Sequence, residues 1–336
     1  MKHILISRTD NIGDVILTLP MTGILKKHFP NLKITLLARD YVRAIAENCT
    51  HIDAFESWDA LSAMPSSDAI LHIKKLNLDA VIHAFPKKQI ATVMKQAQVP
   101  LRIGTSRRFY HWFTCNKRVN FSRKKSDLHE AQLNLKLLSA LDLNTEYDLK
   151  TLSTYTGLHC TGNLPNNLSE KINLDRFNLI IHPFTNGNTR EWPISNFIAL
   201  IQSLPSDRIR VLITGSKKEN ARIESEIMPH CPNAINLAGQ CDLNEFVKLI
   251  VHCDGLIANS TGPLHIAAAL GIHALGLFPV TKGMDVKRWA PIGVKAEVIT
   301  ADPNCQNALC VEKKDCFCME SITVAQVKNK IMEWIQ

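Results

Sequence analysis

The sequence has no apolar run long enough to cross a membrane. None of its apolar stretches approaches the roughly 18 to 20 residues that a membrane-spanning helix requires. The apolar residues 4–6 near the N-terminus are too few for the core of a signal peptide, and no small-residue cleavage site follows them. These absences predict a cytoplasmic protein.

Several motifs of common α/β enzymes are also missing. None of the 14 glycines has a second glycine two positions later, which excludes the dinucleotide motif G-x-G-x-x-G. The lysine loop G-x-x-x-x-G-K-[ST] of P-loop nucleotidases and the G-x-S-x-G elbow of esterases are absent. No two aspartates form the D-x-D pair with which many metal-dependent sugar transferases hold a cation. Dehydrogenase, nucleotidase and hydrolase functions are therefore disfavoured.

The 10 cysteines do not form a recognisable metal-binding or disulfide pattern. Only one group is dense, and its members are Cys305, Cys310, Cys316 and Cys318. Their spacing is not the paired C-x-x-C of a zinc ribbon. We therefore favour ordinary packing cysteines over a metal site or a disulfide.

Acidic residues are absent from residues 87–125, although the whole chain has 31 of them. The basic residues in this stretch are Lys87, Lys88, Lys95, Arg102, Arg107, Arg108, Lys117, Arg118, Arg123, Lys124 and Lys125. Four aromatic residues and one histidine occupy positions 109–113 inside it. A concentrated positive field attracts phosphates or an anionic membrane surface, and we favour such a partner over a merely solvated basic face.

Alternating strand and helix patterns over 336 residues predict an α/β fold with two doubly wound domains. We expect the first domain at residues 1–150 and the second at 176–320, followed by a C-terminal helix at 321–336. The periodicity fades into Thr, Asn, Gly and Pro at residues 151–175, which predicts a linker. Ligands of such domains bind beyond the carboxyl ends of the strands, so we expect the site in the cleft between domains.

The individual elements follow from the apolar periodicity. Strands are predicted at residues 2–7, 33–38, 79–85, 178–182, 208–214, 234–237, 255–258 and 274–278. Helices are predicted at residues 14–28, 41–47, 69–76, 129–141, 194–204, 217–227, 243–251, 263–270 and 324–335. Pro20 falls inside the first of these helices, which predicts a kink or a late start there.

The segment from Arg8 to Pro20 places a glycine and a carboxylate where the first strand ends and a helix begins. Gly13 lets the backbone turn tightly and approach a ligand. Asp14 then lies at the mouth of the expected cleft, where it can serve as a catalytic base. An equally good interpretation is that Asp14 or Asp10 caps the helix and favours its dipole.

The segment from Ile257 to Gly271 reads as a strand, a polar turn, a helix that begins with a proline, and a terminating glycine. The N–H groups at such a helix start form a site for a diphosphate. The candidate donor-binding residues of this segment are Ser260, Thr261, Gly262 and His265. The alternative is a capped core helix with a satisfied histidine.

The segment from His182 to Pro193 follows the first strand of the second domain and is rich in donors. Thr185, Asn186 and Arg190 are placed to hold phosphate oxygens, and Arg190 is a fixed cation for a leaving diphosphate. A purely structural loop before the next helix is the alternative.

Together these segments resemble glycosyltransferase family nine, the heptosyltransferases, whose members add ADP-activated heptose to the lipopolysaccharide core. The resemblance spans nearly the whole chain. It includes the glycine-aspartate start with T-L-P, the H-P-x-T…W-P and S-T-G-P-x-H-x-A-A-A-L-G segments, and the stretch from Cys305 to Met319. It implies a GT-B architecture of two facing Rossmann-like domains, the first binding the acceptor and the second the nucleotide sugar.

The resemblance also implies residue roles. Asp14 matches the general base that takes the proton from the acceptor hydroxyl, so that the anomeric carbon is inverted. The positions that match the donor-binding motifs are Thr185, Arg190, Thr261, Gly262 and His265. Some members carry an aspartate where this chain has Ser260, a departure that bears on the identity of the sugar. ADP-heptose is implied as a substrate, and neither a metal nor another cofactor is implied.

The implied function is therefore an inverting, metal-independent transfer of heptose to the inner core of lipopolysaccharide. The candidate acceptor-binding residues are Gly13, Arg102, Arg107 and Arg108. The implied partners are the nucleotide sugar, an anionic lipopolysaccharide precursor and the inner face of the cytoplasmic membrane. The alternatives are an enzyme of the same fold with another nucleotide sugar or acceptor, and a basic nucleic-acid-binding protein. Nucleic acid is not the expected partner, because no helix-turn-helix or zinc-finger pattern is visible.

Overall fold

The computed structural model describes residues 1–185, 187, 189–302 and 317–335, without the side chain of Phe317. The chain divides into two compact units, Met1–His159 and Cys160–Gln336. The division falls inside the segment 151–175 that the sequence suggested as a linker. This segment also carries a short helix at Asn166–Ser169.

The first unit is built on a six-stranded parallel sheet. Its strands are β1 His3–Ser7, β2 Lys33–Ala38, β3 Ala54–Ser57, β4 Ala80–His83, β5 Leu101–Thr105 and β6 Lys117–Val119. The strand order is β3-β2-β1-β4-β5-β6, and Leu5 pairs with Thr35 on one side and with Val81 on the other. This is the Rossmann order, in which the winding of the chain reverses between β1 and β4.

The described residues of the second unit form a parallel sheet with the same connectivity. Its strands are β7 Phe177–His182, β8 Ile209–Ile213, β9 Ile235–Asn236, β10 Gly255–Asn259, β11 His273–Phe278 and β12 Ala296–Thr300. The order is β12-β11-β10-β7-β8-β9, so the reversal falls between β7 and β10. Ile257 on β10 pairs with Ile181 and with Leu275.

Helices connect the strands of both sheets. Those of the first unit are α1 Ile12–Ile16, α2 Leu19–His28, α3 Arg43–Glu47, α4 Trp58–Ala63, α5 Ser66–Lys75, α6 Lys88–Gln96, α7 His111–Thr114, α8 Glu130–Leu135 and α9 Leu149–Ser153. Those described in the second unit are α10 Asn166–Ser169, α11 Ile194–Ser203, α12 Asn220–Glu226, α13 Leu243–Val251, α14 Gly262–Leu270, α15 Val286–Trp289 and α16 Val324–Trp334. In the first unit Leu5 and Leu37 pack with Trp58 and Met94 from the covering helices.

Among the described residues, no helix combines the length and the apolar character that a membrane span requires.

The structure breaks the long first helix of the sequence prediction into two. α1 ends at Ile16 and α2 begins at Leu19, with Pro20 in its first turn. Proline fits there because the N–H groups of a first turn have no partner within the helix. The predicted late start at Pro20 is confirmed.

Candidate functional site

The three motif segments lie at the carboxyl ends of the strands that flank the two reversal points. Arg8 follows β1 in the first unit, Pro183 follows β7, and Ser260 follows β10 in the second. Open α/β sheets bind ligands at these positions because the loops diverge there and leave a crevice. The topology of each unit therefore places the three segments chosen from the sequence where a ligand-binding site is expected.

A buried ion network surrounds Asp14 in the first unit. The guanidinium of Arg8 donates from Nε to Asp10 Oδ1 (2.8 Å) and from Nη2 to Asp14 Oδ1. Its Nη1 donates to Glu130 Oε1 and to Asn134 Oδ1, each at 3.0 Å. One arginine thus joins the loop after β1 to α8, and it holds Asp14 at a fixed place on α1.

A second arginine completes this network. Arg123 donates to Glu130 Oε1 at 3.1 Å, to Asn134 Oδ1 at 2.8 Å and to the carbonyl oxygen of Ala84 at 3.0 Å. Arg123 thereby links α8 to the end of β4, the other strand of the reversal point. Ion pairs and hydrogen bonds therefore join the segments after β1 and β4 to α8 at this crevice.

Burial shifts the protonation of the groups around Arg8. Burial opposes the charge of Arg8, but Asp10, Glu130 and Asp14 outweigh it and raise the pKa of the guanidinium above its usual value. Burial also raises the pKa of Asp10 to about 7, although the attraction of Arg8 works in the opposite direction. Arg8 thus stays charged, and burial makes the carboxyl of Asp10 harder to ionise.

Helix capping does not account for Asp14. The N-cap residue of α1 is Asn11, whose side chain makes no capping hydrogen bond and instead donates to Asp14 Oδ2 at 3.3 Å. Neither Asp10 nor Asp14 occupies the cap position, so the capping part of that interpretation is wrong. Asp14 does lie in the first turn of α1, where a carboxylate favours the helix dipole. Gly13 also lies inside α1 with an ordinary helical backbone, not in the tight turn expected from the sequence.

Two buried histidines lie beside the Asp14 network. The Ser7 hydroxyl is hydrogen-bonded to Nδ1 of His83 (3.3 Å), and the ring of His83 lies 5.5 Å from that of His111. His111 Nδ1 donates to the carbonyl oxygen of Thr105 at 2.9 Å. Burial, with a smaller repulsion from His111 and Arg102, lowers the pKa of His83 to about 3.

We expect His83 to make folding stability dependent on pH. Its folded-state pKa lies below the usual 6.5, so as the pH falls the unfolded chain takes up a proton that the folded chain excludes. Between pH 7 and pH 5 this single group should lower the free energy of unfolding by about 2 kcal/mol. Urea unfolding at the two pH values measures the loss.

The variant His83→Asn should show a smaller loss of stability over the same pH range. His28→Asn is the control, because His28 is exposed at the end of α2. An unchanged pH slope in His83→Asn would show that His83 is not the titrating group.

A buried asparagine joins the two motif segments of the second unit. Asn259, the last residue of β10, donates from Nδ2 to the carbonyl oxygen of Pro183 (2.7 Å). Its Oδ1 accepts from the backbone N–H of Trp192 at 2.8 Å. The indole of Trp192 is itself buried and donates to the carbonyl oxygen of Ile322 at 2.8 Å. The loop after β7 is therefore tied at both ends beside the start of α14.

The loop between Pro183 and Trp192 is held from within by Glu191. Its Oε1 accepts from the backbone N–H of Thr185 at 2.8 Å and from the Thr185 hydroxyl at 3.0 Å. Arg190 is half-buried in the same loop. Asn186 lies outside the described residues. Thr185 and Arg190 thus both lie in the segment that Asn259 joins to β10, and Thr185 is held there by Glu191.

The start of α14 presents backbone N–H groups next to this loop. Thr261 is the N-cap residue and its side chain makes no capping hydrogen bond; its hydroxyl donates to the Asn259 carbonyl oxygen at 3.2 Å. Ser260 and Gly262 are half-buried beside it. His265, in contrast, is only 3% exposed, so a ligand can reach no more than a small part of its surface.

The basic stretch at residues 87–125 is not one uniform surface. Arg102 donates to the carbonyl oxygens of Thr114 (2.7 Å) and Val99, so two of its nitrogens are occupied within the first unit. Arg123 belongs to the buried network. Arg107 and Arg108 are exposed. Among the arginines proposed for the acceptor, these two are the ones open to solvent.

Sequence reasoning missed the residues that hold the candidate site together. These are Arg8, Arg123, Glu130, Asn134, Glu191 and Asn259. Of the dense cysteine group, Cys305, Cys310 and Cys316 lie outside the described residues, and Cys318 is buried. Within residues 1–185, 187, 189–302 and 317–335, no three His, Cys, Asp or Glu side chains form a metal-binding group.

Known proteins share both the sequence pattern and the fold. The model of glycosyltransferase family 9 (heptosyltransferase) matches residues 70–318. A Haemophilus influenzae protein, provisionally assigned as a glycosyltransferase, is 23% identical over 87% of this chain and 86% of its own length. Lipopolysaccharide heptosyltransferase 3 of Escherichia coli K12 is 26% identical over 82% of each chain. The solved structure of E. coli ADP-heptose lipopolysaccharide heptosyltransferase II has a TM-score of 0.76 and 17% identity, covering 100% of this chain and 98% of its own.

These matches confirm the predicted α/β fold with two Rossmann-like domains of the GT-B class. They also confirm that the protein is a glycosyltransferase, and they leave the nucleic-acid alternative without support. The family match covers more than half of the chain. The chain therefore belongs to glycosyltransferase family 9, the heptosyltransferases.

Proposed function

We propose that this glycosyltransferase moves heptose from ADP-heptose onto the inner core of a lipopolysaccharide precursor. Support comes from its relatives, since the solved E. coli protein is named for ADP-heptose and the K12 relative for heptosyl transfer to lipopolysaccharide. The proposal places the enzyme in the cytoplasm, with peripheral contact at the inner face of the cytoplasmic membrane. The acceptor is anionic, which suits the exposed basic residues of the first unit.

Asp14 is the proposed general base. Its carboxylate takes the proton of the acceptor hydroxyl while the hydroxyl oxygen forms a bond to the anomeric carbon of heptose. The bond from that carbon to the diphosphate oxygen breaks on the opposite side, so ADP leaves and the configuration inverts. Arg8 and Asn11 contact one carboxylate oxygen each, which fixes the orientation of the base.

The donor diphosphate is proposed to bind at the second unit's reversal point. Asn259 carries most weight here, because it ties the Thr185–Arg190 loop beside the first turn of α14. The backbone N–H of Gly262 and the hydroxyls of Ser260 and Thr261 can then donate to phosphate oxygens. Arg190 supplies the cationic charge that a divalent ion supplies in metal-dependent transferases. Asn186 and His265 are included as further donor contacts.

The acceptor is proposed to bind at the first unit's reversal point. Arg107 and Arg108 are placed to pair with its phosphates or carboxylates. Gly13, which directly precedes Asp14 on α1, is included as a further acceptor contact. Arg102 contributes through the backbone of α7, since its guanidinium holds the Thr114 carbonyl.

A donor panel tests this proposal. The purified protein and a heptose-ready lipopolysaccharide acceptor are incubated with ADP-heptose, a UDP-sugar or a dTDP-sugar, and release of the nucleoside diphosphate is measured. We expect release from ADP-heptose alone, and an unchanged rate after addition of a chelator. A preference for another nucleotide sugar would contradict the donor assignment, and Ser260 would then be the first residue to examine. Loss of activity on chelation would contradict metal independence.

A further inference from the structure

The first unit carries an exposed aromatic cluster on and beside α7. Phe109, Trp112 and Phe113 are 79%, 57% and 62% exposed, although residues of this size usually bury most of their surface. The rings of Phe109 and Phe113 meet edge to face with centroids 5.2 Å apart. Phe109 and Phe113 thus form an apolar patch on the surface, and Trp112 is exposed on the same short helix as Phe113.

The opposite side of α7 is firmly anchored, so the exposure is not caused by a loose segment. His111, Thr114 and Cys115 are buried. The carbonyl oxygen of Thr114 accepts from Arg102 at 2.7 Å. A Cβ at Gly104 would lie 2.6 Å from Nδ1 of His111, so the glycine is what lets the helix sit against β5. The backbone of α7 is therefore held in place while its aromatic side chains are exposed to solvent.

Basic side chains lie close to these aromatic residues in the chain. Arg107 and Arg108 directly precede Phe109, Lys117 follows α7, and all three are exposed. Arg118 places its guanidinium 4.6 Å from the centre of the Trp112 ring. No acidic residue occurs anywhere between positions 87 and 125. We call the seven residues Arg107, Arg108, Phe109, Trp112, Phe113, Lys117 and Arg118 the α7 surface.

We infer that the α7 surface docks the protein on an anionic lipid bilayer, with Phe109, Trp112 and Phe113 inserted at the headgroup boundary. Aromatic residues flanked by arginine and lysine are typical of this boundary. The aromatic side chains enter the acyl region, and the cationic side chains pair with lipid phosphates. A second copy of the chain fits less well, because the two positive rims would face each other. The inference rests on the proposed function in one respect. The proposed function names the inner face of the cytoplasmic membrane, where the acceptor would be anchored, as the membrane to which the α7 surface binds.

The α7 surface and the proposed base lie at the same edge of the first sheet. The loop that begins α7 leaves the carboxyl end of β5, the same sheet edge at which Arg8 leaves β1. His111 of α7 packs against His83, and His83 is hydrogen-bonded to Ser7, which directly precedes Arg8. Docking through α7 would therefore bring the acceptor side of the first unit to the membrane.

Vesicle binding tests the inference without any donor or acceptor. The purified full-length chain is sedimented with vesicles of phosphatidylcholine alone or mixed with phosphatidylglycerol. We expect binding to the anionic vesicles that salt weakens, and an affinity at least about tenfold lower in the double variant Phe109→Ser/Phe113→Ser. Val294→Ser is the matched control, because Val294 is also an exposed apolar residue (88%) but lies in the second unit.

Depth of insertion is measured with brominated lipids, which quench nearby tryptophans. We expect quenching in the wild type and much less in Trp112→Phe, which keeps an aromatic ring but removes the reporter. Equal binding of the double variant, equal binding to neutral and anionic vesicles, or quenching that survives Trp112→Phe would each overturn the inference. Transfer to a delipidated, water-soluble acceptor separates the two proposals: it should be unchanged in the double variant, and its absence in the wild type would count against the proposed function alone.

Discussion

The variant Asp14→Asn is expected to bind the donor normally and to transfer sugar about 10² to 10⁴ times more slowly than the wild type, the usual loss when a general base is removed. Asparagine cannot take the proton of the acceptor hydroxyl. Its single amide oxygen can still accept from the guanidinium of Arg8, so the main contact that holds α1 to the loop after β1 is kept. The contact with Asn11 is lost, because the NH2 group of asparagine replaces the oxygen that accepts from Asn11. Release of ADP under saturating substrates measures the turnover number.

Two controls separate catalysis from folding in this variant. Titration with ADP should give the wild-type affinity, because the proposed donor site lies in the second unit. Asp59→Asn removes an exposed carboxylate that pairs with Arg39 at 3.1 Å, and it should leave turnover unchanged. Turnover of Asp14→Asn at the wild-type rate would show that another group accepts the proton.

Replacing Arg8 by methionine should cost about 3 to 5 kcal/mol of the stability of the first unit, the range found when one partner of a buried ion pair is removed. The buried carboxylates of Asp10, Asp14 and Glu130 would lose their common cation. Arg8→Lys should recover only part of the loss, since an ammonium group lacks the planar fork that reaches all of these partners. Denaturant unfolding, followed by circular dichroism, measures the change.

Arg39→Met is the matched control for this prediction. Arg39 also pairs with an aspartate, but the two side chains are 52% and 37% exposed, so the loss of this ion pair should cost less than about 1 kcal/mol. Equal effects of Arg8→Met and Arg39→Met would mean that the buried network does not stabilise the fold.

Apolar periodicity predicted β1, β2 and β4 of the first sheet and β7 to β11 of the second, and all of these except β9 carry a run of buried residues. The strand Lys33–Ala38 was placed at its observed bounds, and its last five residues are buried. The strands β3, β5, β6 and β12 were missed, because none of the four carries a run of buried apolar residues. In β6, Lys117 and Arg118 are exposed and belong to a longer basic stretch, so the sequence there has no apolar pattern that would indicate a strand.

The candidate site was predicted in part. The positions of Asp14, Thr185 and Thr261 follow from short motifs, because a strand that ends in a polar turn before a helix can be read locally. The residues that hold these motifs cannot be found that way. Arg8 meets Glu130 across 122 positions, and Asn259 meets Pro183 across 76. Such contacts can be predicted only when the order of the strands in the sheet is known.

The most direct test of the proposed heptosyl transfer is mass spectrometry of lipopolysaccharide from a strain that lacks this protein. We predict that the core loses a heptose, that the wild-type chain restores it, and that Asp14→Asn does not. An unchanged core, loss of a different sugar, or full restoration by Asp14→Asn would contradict the account.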